Sequence, residues 1–421
     1  MIETTQLLPG VNLRCCRDGR FKQGCLSIQF VRPMLKEEAA LSALLPSVLL
    51  RGTRAHPTLR SITEHLDTLY GASVSTLVRR IGDYQTTGLY CGFMDDRFAL
   101  PGDQVLAPMV RFLEELLLES PLQNGAFLPE FVEGEKKNLI ATIESELNDK
   151  RAYAMGRLLK TMCSADSFGL PRLGDTEQVA AIRPDRLYAH YRKLLRESRI
   201  DIFYVGSAPA QTLRELLMGL VSKLDRSYVN LPAQTPFSDT EGRHICEELD
   251  VSQGKLCMGF TTPITNRDPD FPAMQLLNSI FGAGMTSKLF MNVREKLSLC
   301  YHVGSGYYGT KGILTVSAGI DFDKEHKTRE EVLRQLAACQ AGDITTQELA
   351  AAKESILSSL RATHDTPGAI EGYYATAALS GMAMNPQQYM AAVEAVTLEQ
   401  VAAAARTVKL HSSFFLKGVS Q

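Results

Sequence analysis

The sequence predicts an α+β protein made of two homologous domains, each a mostly antiparallel sheet with helices packed on one face. Three observations carry this. Extended runs come in groups followed by groups of amphipathic helices, the pattern of segregated layers rather than of alternating βαβ units. The pattern then repeats: Gln23-Gly24 and Phe30 recur as Gln253-Gly254 and Phe260, an offset of 230 (253 − 23). Lys136-Lys137-Asn138-Leu139-Ile140 is echoed by Lys353-Glu354-Ser355-Ile356-Leu357 at 217 (353 − 136), and Phe203-Tyr204-Val205-Gly206 by Phe415-Leu416-Lys417-Gly418 at 212 (415 − 203). A fixed order with a falling offset is a duplication whose first half carries the longer loops. Between the halves, Asp225 to Gly242 is polar, holds Pro232 and Pro236 and lacks periodicity, so it reads as a linker. The expected domains are 1–224 and 244–421, joined over 225–243.

Taken in order, Val11 to Cys16 and Gly24 to Phe30 are short strands. Glu37 to Leu50 is apolar at helical spacing and stops before Arg51-Gly52-Thr53, with Gly52 as the stop. Thr58 caps a helix that turns Leu59, Ile62, Leu66 and Leu69 inward and closes at Gly71. Strands Ser73 to Arg80 and Tyr84 to Met94 follow, then two long helices over 104–119 and 128–159, a helix over 184–195 and a strand over 200–206. In the second half a helix opens at the Gly282-Ala283-Gly284 turn, with Leu289, Val293 and Leu297 as its apolar stripe. It gives way to an extended run from Tyr301 to Tyr308. Arg294 and Tyr301 stand at that corner, where a guanidinium and a phenol could grip a peptide backbone. The plain alternative is a surface arginine and a core tyrosine.

The chain has 421 residues, 45% hydrophobic and 22% charged, with a formal net charge of −2. That balance offers no bulk electrostatic case for nucleic acid or an anionic membrane as partner. The start, Met1-Ile2-Glu3-Thr4-Thr5, has no signal-peptide pattern, and no apolar run approaches the ~20 residues of a membrane span. Nine cysteines without a C-x-x-C pair read as reduced thiols. The expectation is a soluble cytoplasmic protein.

The string from Gly282 to Phe290, running on through Arg294-Glu295-Lys296 to Leu299 and Tyr301, resembles the second-half signature of the pitrilysin/insulinase family of zinc peptidases, which includes the mitochondrial processing peptidase. The resemblance covers essentially the whole chain. It implies two halves arranged as a clamshell around a chamber for unfolded peptides, with Arg294 and Tyr301 binding substrate opposite the zinc. In that family the zinc motif is H-x-x-E-H, where two His at i and i+4 hold the metal and the Glu polarises water. Anchored on Gly52-Thr53, the motif falls on Ala43 to Ser47: the His positions are Ala43 and Ser47, and the Glu position is Pro46. The later E-x6-E ligand falls on Thr142, with Glu135 kept. A methyl, a ring and two hydroxyls cannot hold zinc, and a proline inside a helix costs about 3 kcal/mol. The other histidines offer no replacement set in the sequence. No metal, no cofactor and no catalytic residue are therefore expected.

In two-subunit members of the family one chain keeps the zinc motif and the other loses it. The resemblance thus implies a non-catalytic subunit of a bacterial heterodimeric zinc peptidase, similar to zinc-less members associated with elongation factor P modification. Its partners would be a zinc-bearing chain of the same family and a peptide substrate, with turnover only in the pair. The alternative is a catalytically inactive peptide-binding or scaffold protein acting as a homodimer or monomer.

Overall fold

The computed structural model describes residues 2–235, 237 and 241–419; within the expected linker, residues 236 and 238–240 lie outside the described residues. The chain forms two compact units, and neither is continuous in sequence. The first is Met1–Glu144, Pro171–Ala233 and His364–Thr376; the second is Ser145–Leu170, Gln234–Thr363 and Ala377–Gln421.

Among the described residues the first unit holds a 6-stranded sheet. Its early strands are β1 (Ile2–Leu8), β2 (Val11–Arg17), β3 (Gln23–Pro33), β4 (Ser73–Ile81) and β5 (Tyr84–Met94). A short hairpin, β6 (Leu122–Gln123) and β7 (Ala126–Phe127), precedes β8 (Arg199–Gly206), and the sheet order is β1-β2-β8-β3-β5-β4. In the second unit β9 (His244–Leu249), β10 (Gly254–Thr261), β11 (Cys300–Tyr308), β12 (Ile313–Ile320) and β13 (Lys409–Gly418) take the order β11-β12-β10-β13-β9. Read backwards, this is the first sheet without β1. In both sheets one pair is parallel, β2 with β8 and β9 with β13, and the remaining pairs are antiparallel. The duplication read from sequence offsets is therefore a duplication of topology.

Central strand β3 is buried along nearly its whole length. Its Leu26, Ile28 and Phe30 point into a core shared with Leu41, Leu44, Leu45 and Val48 of α1 (Lys36–Leu49). Helices α2 (Leu59–Thr68), α3 (Leu106–Leu118) and the start of α4 (Pro129–Asn148) add Ile62, Leu113 and Val132 to that core. The intervening β3 residues Ser27 and Gln29 face the other way and are equally buried. Above them lies a helix from the far end of the chain. The second unit mirrors this: α5 (Lys150–Met162) lays Ala154, Leu158 and Met162 on Cys257, Ile313, Phe414 and Leu416. So each sheet has a helix on its second face in addition to those expected on the first.

The single long helix expected over 128–159 is two helices. Asp149 breaks it: with φ −71° and ψ 97° it leaves the helical region, and its Oδ1 accepts the N–H groups of Arg151 (2.9 Å) and Ala152 (3.2 Å). An aspartate that caps a new helix competes with continuing the old one. Gly52 also plays a different part from a helix stop in the left-handed region. A Cβ there would lie 2.9 Å from the Pro57 carbonyl, so glycine allows a close chain crossing.

The remaining helices of the first unit include α6 (Thr176–Ala180), α7 (Pro184–Glu197) and α8 (Ala210–Val221). On α7, His190 is buried with its Nε2 2.9 Å from Ser42 Oγ of α1. Burial, with a smaller contribution from Arg32, Lys193 and Arg186 against an opposing one from Glu38, lowers its pKa from 6.5 to about 4. Between those values the unfolded chain binds a proton that the folded chain does not, so stability falls as pH drops from 6.5 toward 4. The wild-type protein should lose about 2 kcal/mol more than His190→Gln between pH 7 and pH 4.5 in urea unfolding. Equal losses would show that the imidazole is not held neutral.

Candidate functional site

In the first unit, α1 carries the positions where the zinc motif falls. It runs through Pro46 to Leu49. Proline has no N–H to give the carbonyl of Ser42, four residues earlier, and in its place Thr87 Oγ1 of β5 donates to Ser42 O at 2.6 Å. Ala43 and Pro46 are buried and Ser47 is half-buried. On α4, Thr142 is exposed and its Oγ1 donates to Asn138 O at 2.9 Å. Glu135, the carboxylate kept from E-x6-E, lies 3.4 Å from Arg51 Nη1. Among the described residues no three His, Cys, Asp or Glu side chains gather so as to hold a metal ion. The structure does bring together His56 and His65, with ring centroids 4.5 Å apart against Phe112, a pairing that their sequence spacing conceals.

In the second unit the segment from Ser279 is wound more widely than an α-helix. Residues Ser279–Ala283 and Leu289–Lys296 form π turns, and Leu297 N–H bonds Asn292 O at 3.2 Å, five residues back. Leu289 and Val293 are fully buried, as the stripe requires, but Leu297 is 44% exposed. The wider turn carries it out of register with the other two. The helix ends with Ser298 at φ +49° and Leu299 N–H on Val293 O at 3.0 Å, a Schellman-type close.

Arg294 and Tyr301 flank that close. The Arg294 guanidinium sits 4.7 Å from the Phe290 ring centroid and 3.5 Å from Glu295, with 42% of its side chain exposed. Tyr301 is 64% exposed, which rules out the core-tyrosine alternative. Its hydroxyl donates to Asp321 Oδ1 at 3.1 Å, and Asp321 in turn pairs with Lys324 at 2.6 Å. Lys324 first, and Tyr301 after it, hold the Asp321 carboxyl below its ordinary range. Both predicted residues line one open cleft of about 360 Å³, together with Ser298, Cys300 and Lys324.

A larger groove of about 600 Å³ lies in the same unit, and sequence reasoning did not find it. Its floor is the face of β11 and β12 that carries His302, Gly304, Gly306, Thr315 and Ser317. Asp149, Arg151, Ala152 and Met155 at the start of α5 form one wall, and the Gly282–Met285 turn with Phe290 forms another. Strand β11 ends its sheet, with β12 as its one strand neighbour among the described residues. Alternate glycines in an otherwise aromatic strand were the available signal, since they mark room for close approach.

The geometry is a duplicated, largely antiparallel fold in which Ala43, Pro46, Ser47 and Thr142 offer no metal ligand. Residues 181–356 match the family described as Peptidase M16 inactive domain. The chain is 29% identical over 409 residues to the Bacillus subtilis (strain 168) protein named "Probable inactive metalloprotease YmfF", covering 97% of this chain and 96% of that one. A conserved protein from Enterococcus faecalis V583 superposes with TM-score 0.92 at 28% identity over 100% of this chain and 99% of the other. The peptidase M16 inactive domain from Pseudomonas fluorescens shares the fold at TM-score 0.82 and 17% identity, covering 100% and 98%. The chain is thus similar along its length to YmfF, and over residues 181–356 to the M16 inactive domain.

If Thr87 replaces the N–H that Pro46 lacks, Thr87→Val should leave the Ser42 carbonyl buried without a donor and cost about 1–3 kcal/mol. Thr87→Ser should restore most of it. Urea denaturation of the three proteins checks this, and an unchanged Thr87→Val midpoint would remove Thr87 from that role.

Proposed function

We propose that this chain is the non-catalytic subunit of a heterodimeric zinc peptidase and supplies substrate grip to a zinc-bearing partner of the same family. In this reading 1–224 is a peptidase-like domain that has lost its metal set, and 244–421 carries the grip, with Arg294 and Tyr301 binding the peptide. The observation that carries it is the contrast between the two ends of the machinery. Where the metal chemistry would sit there are Ala43, Pro46, Ser47 and Thr142, while Arg294 and Tyr301 are kept, exposed, and face one cleft. A guanidinium and a phenol held outward stabilise the fold little, so their placement suits contact with something bound. The similarity to YmfF supports the coarse reading. The link to elongation factor P modification belongs to this proposal as well.

A second reading, an inactive peptide-binding or scaffold protein without a catalytic partner, shares the groove and cleft and differs in needing no second chain. That no helix among the described residues is long and apolar enough to cross a membrane is compatible with both.

The deciding experiment measures peptide turnover by the purified chain alone and mixed with the zinc-motif relative encoded in the same genome. Turnover that appears or rises strongly on mixing supports the subunit; no change on mixing, with peptide still bound, supports the scaffold. In the active mixture, Arg294→Ala should lower kcat/KM by roughly 10–100-fold, the loss of one charge-assisted hydrogen bond. Assembly and Tm should stay unchanged, because the side chain is half-exposed. An unaffected rate would return Arg294 to the surface.

A further inference from the structure

We infer that the groove beside β11 recognises a carboxylate of the bound peptide, an Asp or Glu side chain or a free C-terminus, on Arg151 and His302. This rests on the peptide-binding reading above and adds to it a substrate class.

Among the described residues, Arg151 lacks the carboxylate partner that other arginines of the chain have. Arginines elsewhere in the chain meet carboxylates: Arg32 lies 3.3 Å from Glu38, Arg51 3.4 Å from Glu135 and Arg79 3.0 Å from Glu371. Arg151, exposed in the first turn of α5, has its Nη1 3.2 Å from His302 Nε2. A guanidinium can only donate, so the imidazole nitrogen accepts and His302 is neutral, with its proton on Nδ1. The direction of the His302 pKa agrees: burial lowers it, and Arg151, Arg294 and Lys255 lower it further. Among the described residues no carboxylate lies within ion-pair distance of Arg151. The Arg151 side chain lines the groove.

Among the groove's lining residues, that charge is compensated only through Asp149, whose carboxylate feels both Arg151 and Lys255. Asp149 is the one acidic residue lining the groove, and its Oδ1 is committed to the backbone of Arg151 and Ala152. Lys255 adds a further positive charge nearby; its coupling to Arg151 and Asp149 is felt, and burial lowers its own pKa. The floor, meanwhile, is made of small residues. At Gly304 the nearest atoms to an added Cβ lie 3.6 Å away or more, and at Gly306 the nearest is 3.5 Å, so the strip is flat and a neighbour approaches it only to van der Waals contact. An extended backbone can lie along Gly304 to Gly306 while an anionic group reaches the Arg151 fork. A planar guanidinium binds a carboxylate through two parallel hydrogen bonds, and the Nδ1–H of neutral His302 adds a donor.

Direct binding tests this without any catalytic partner. Short unstructured peptides of equal length, N-terminally labelled, are titrated into the full chain and followed by fluorescence anisotropy. One carries a central Glu with an amidated C-terminus, a second replaces Glu by Gln, and a third is the Gln peptide with a free C-terminus. At least one of the two carboxylate peptides should bind about tenfold more tightly than the neutral one, about 1.4 kcal/mol. The stronger of them identifies which carboxylate the groove takes. Arg151→Met should abolish the difference and leave binding of the neutral peptide as it was. Arg151→Glu should turn the preference toward a Lys-containing peptide; a carboxylate in the first turn of a helix is well tolerated, so the fold is kept. If all peptides bind wild type equally, the carboxylate assignment falls while the peptide-binding reading stands. A preference that survives Arg151→Met overturns the assignment to Arg151. If no peptide binds, the peptide-binding reading fails and this inference fails with it.

Discussion

A sheet whose two faces are both buried has to be covered twice, and the rest of this structure follows from how that is done. On the first sheet the second face is polar. Ser27 and Gln29 are buried there, and the carboxylate of Glu371, on α12 (Pro367–Ser380), answers them: Ser27 Oγ donates at 2.8 Å, Gln29 Nε2 at 2.6 Å, and Arg79 at 3.3 and 3.0 Å. A buried carboxylate is tolerable only when paired and hydrogen-bonded, and this one has four donors. Removing segment 364–376 from the unit would strand an amide, a hydroxyl and a guanidinium at once. Packing near it is apolar, through Ile370 against Cys16, Cys25 and Val205. The second sheet is covered mainly through apolar contacts, α5 lying on Cys257, Ile313, Phe414 and Leu416, with Arg157 and Tyr153 of that helix bonded to Glu247 of β9. Both covering helices come from the opposite half of the sequence, which is why neither unit is continuous.

That coverage places the groove. Helix α5 packs on β10 and β13, so its first turn, with Arg151 and Ala152, ends beside the glycine strip of β11. Gly259 of β10 keeps the helix close, since a Cβ there would run into the Met162 side chain. At the other end of the layer, buried Lys311 bonds Asp166 at 2.8 Å and Thr235 O at 3.0 Å, fastening the β11–β12 hairpin to the segment that follows α5. The groove is therefore a by-product of a structural necessity. One helix must cover four or five strands, it covers the middle ones, and the edge strand is left open.

How much of this could be read from the sequence follows from the range of the interactions involved. Local patterns were legible: the grouped strands and helices, the capped helix after Thr58, and the Gly282 to Tyr301 motif, because capping and periodicity act over a few residues. The duplication was legible because it is written twice. The break at Asp149 was missed because the apolar spacing continues across it, and only the partner surface decides where each piece packs. Leu297 was assigned inward because an α-helical period was assumed where the turn is a π turn. Glu371 reaches Ser27 across 344 positions and Arg151 reaches His302 across 151, and no local rule carries such pairings.

Helix α1 stays intact through Pro46, and that bears on how the first unit is packed. Pro46, which the resemblance aligns with the water-polarising Glu of the zinc motif, removes a backbone donor, yet the helix runs on with Thr87 of the neighbouring strand donating to the Ser42 carbonyl. Ala43 and Pro46 are packed into the core rather than left lining a void. Ala43 and Pro46 are thus ordinary core residues of the first unit, and Thr142 is a surface residue bonded to its own helix. The exposed chemistry, Arg294, Tyr301 and Arg151 with His302, all lies in the second unit. Under the proposed reading, these exposed groups are where a ligand would be held, and any selectivity would be exerted there through binding.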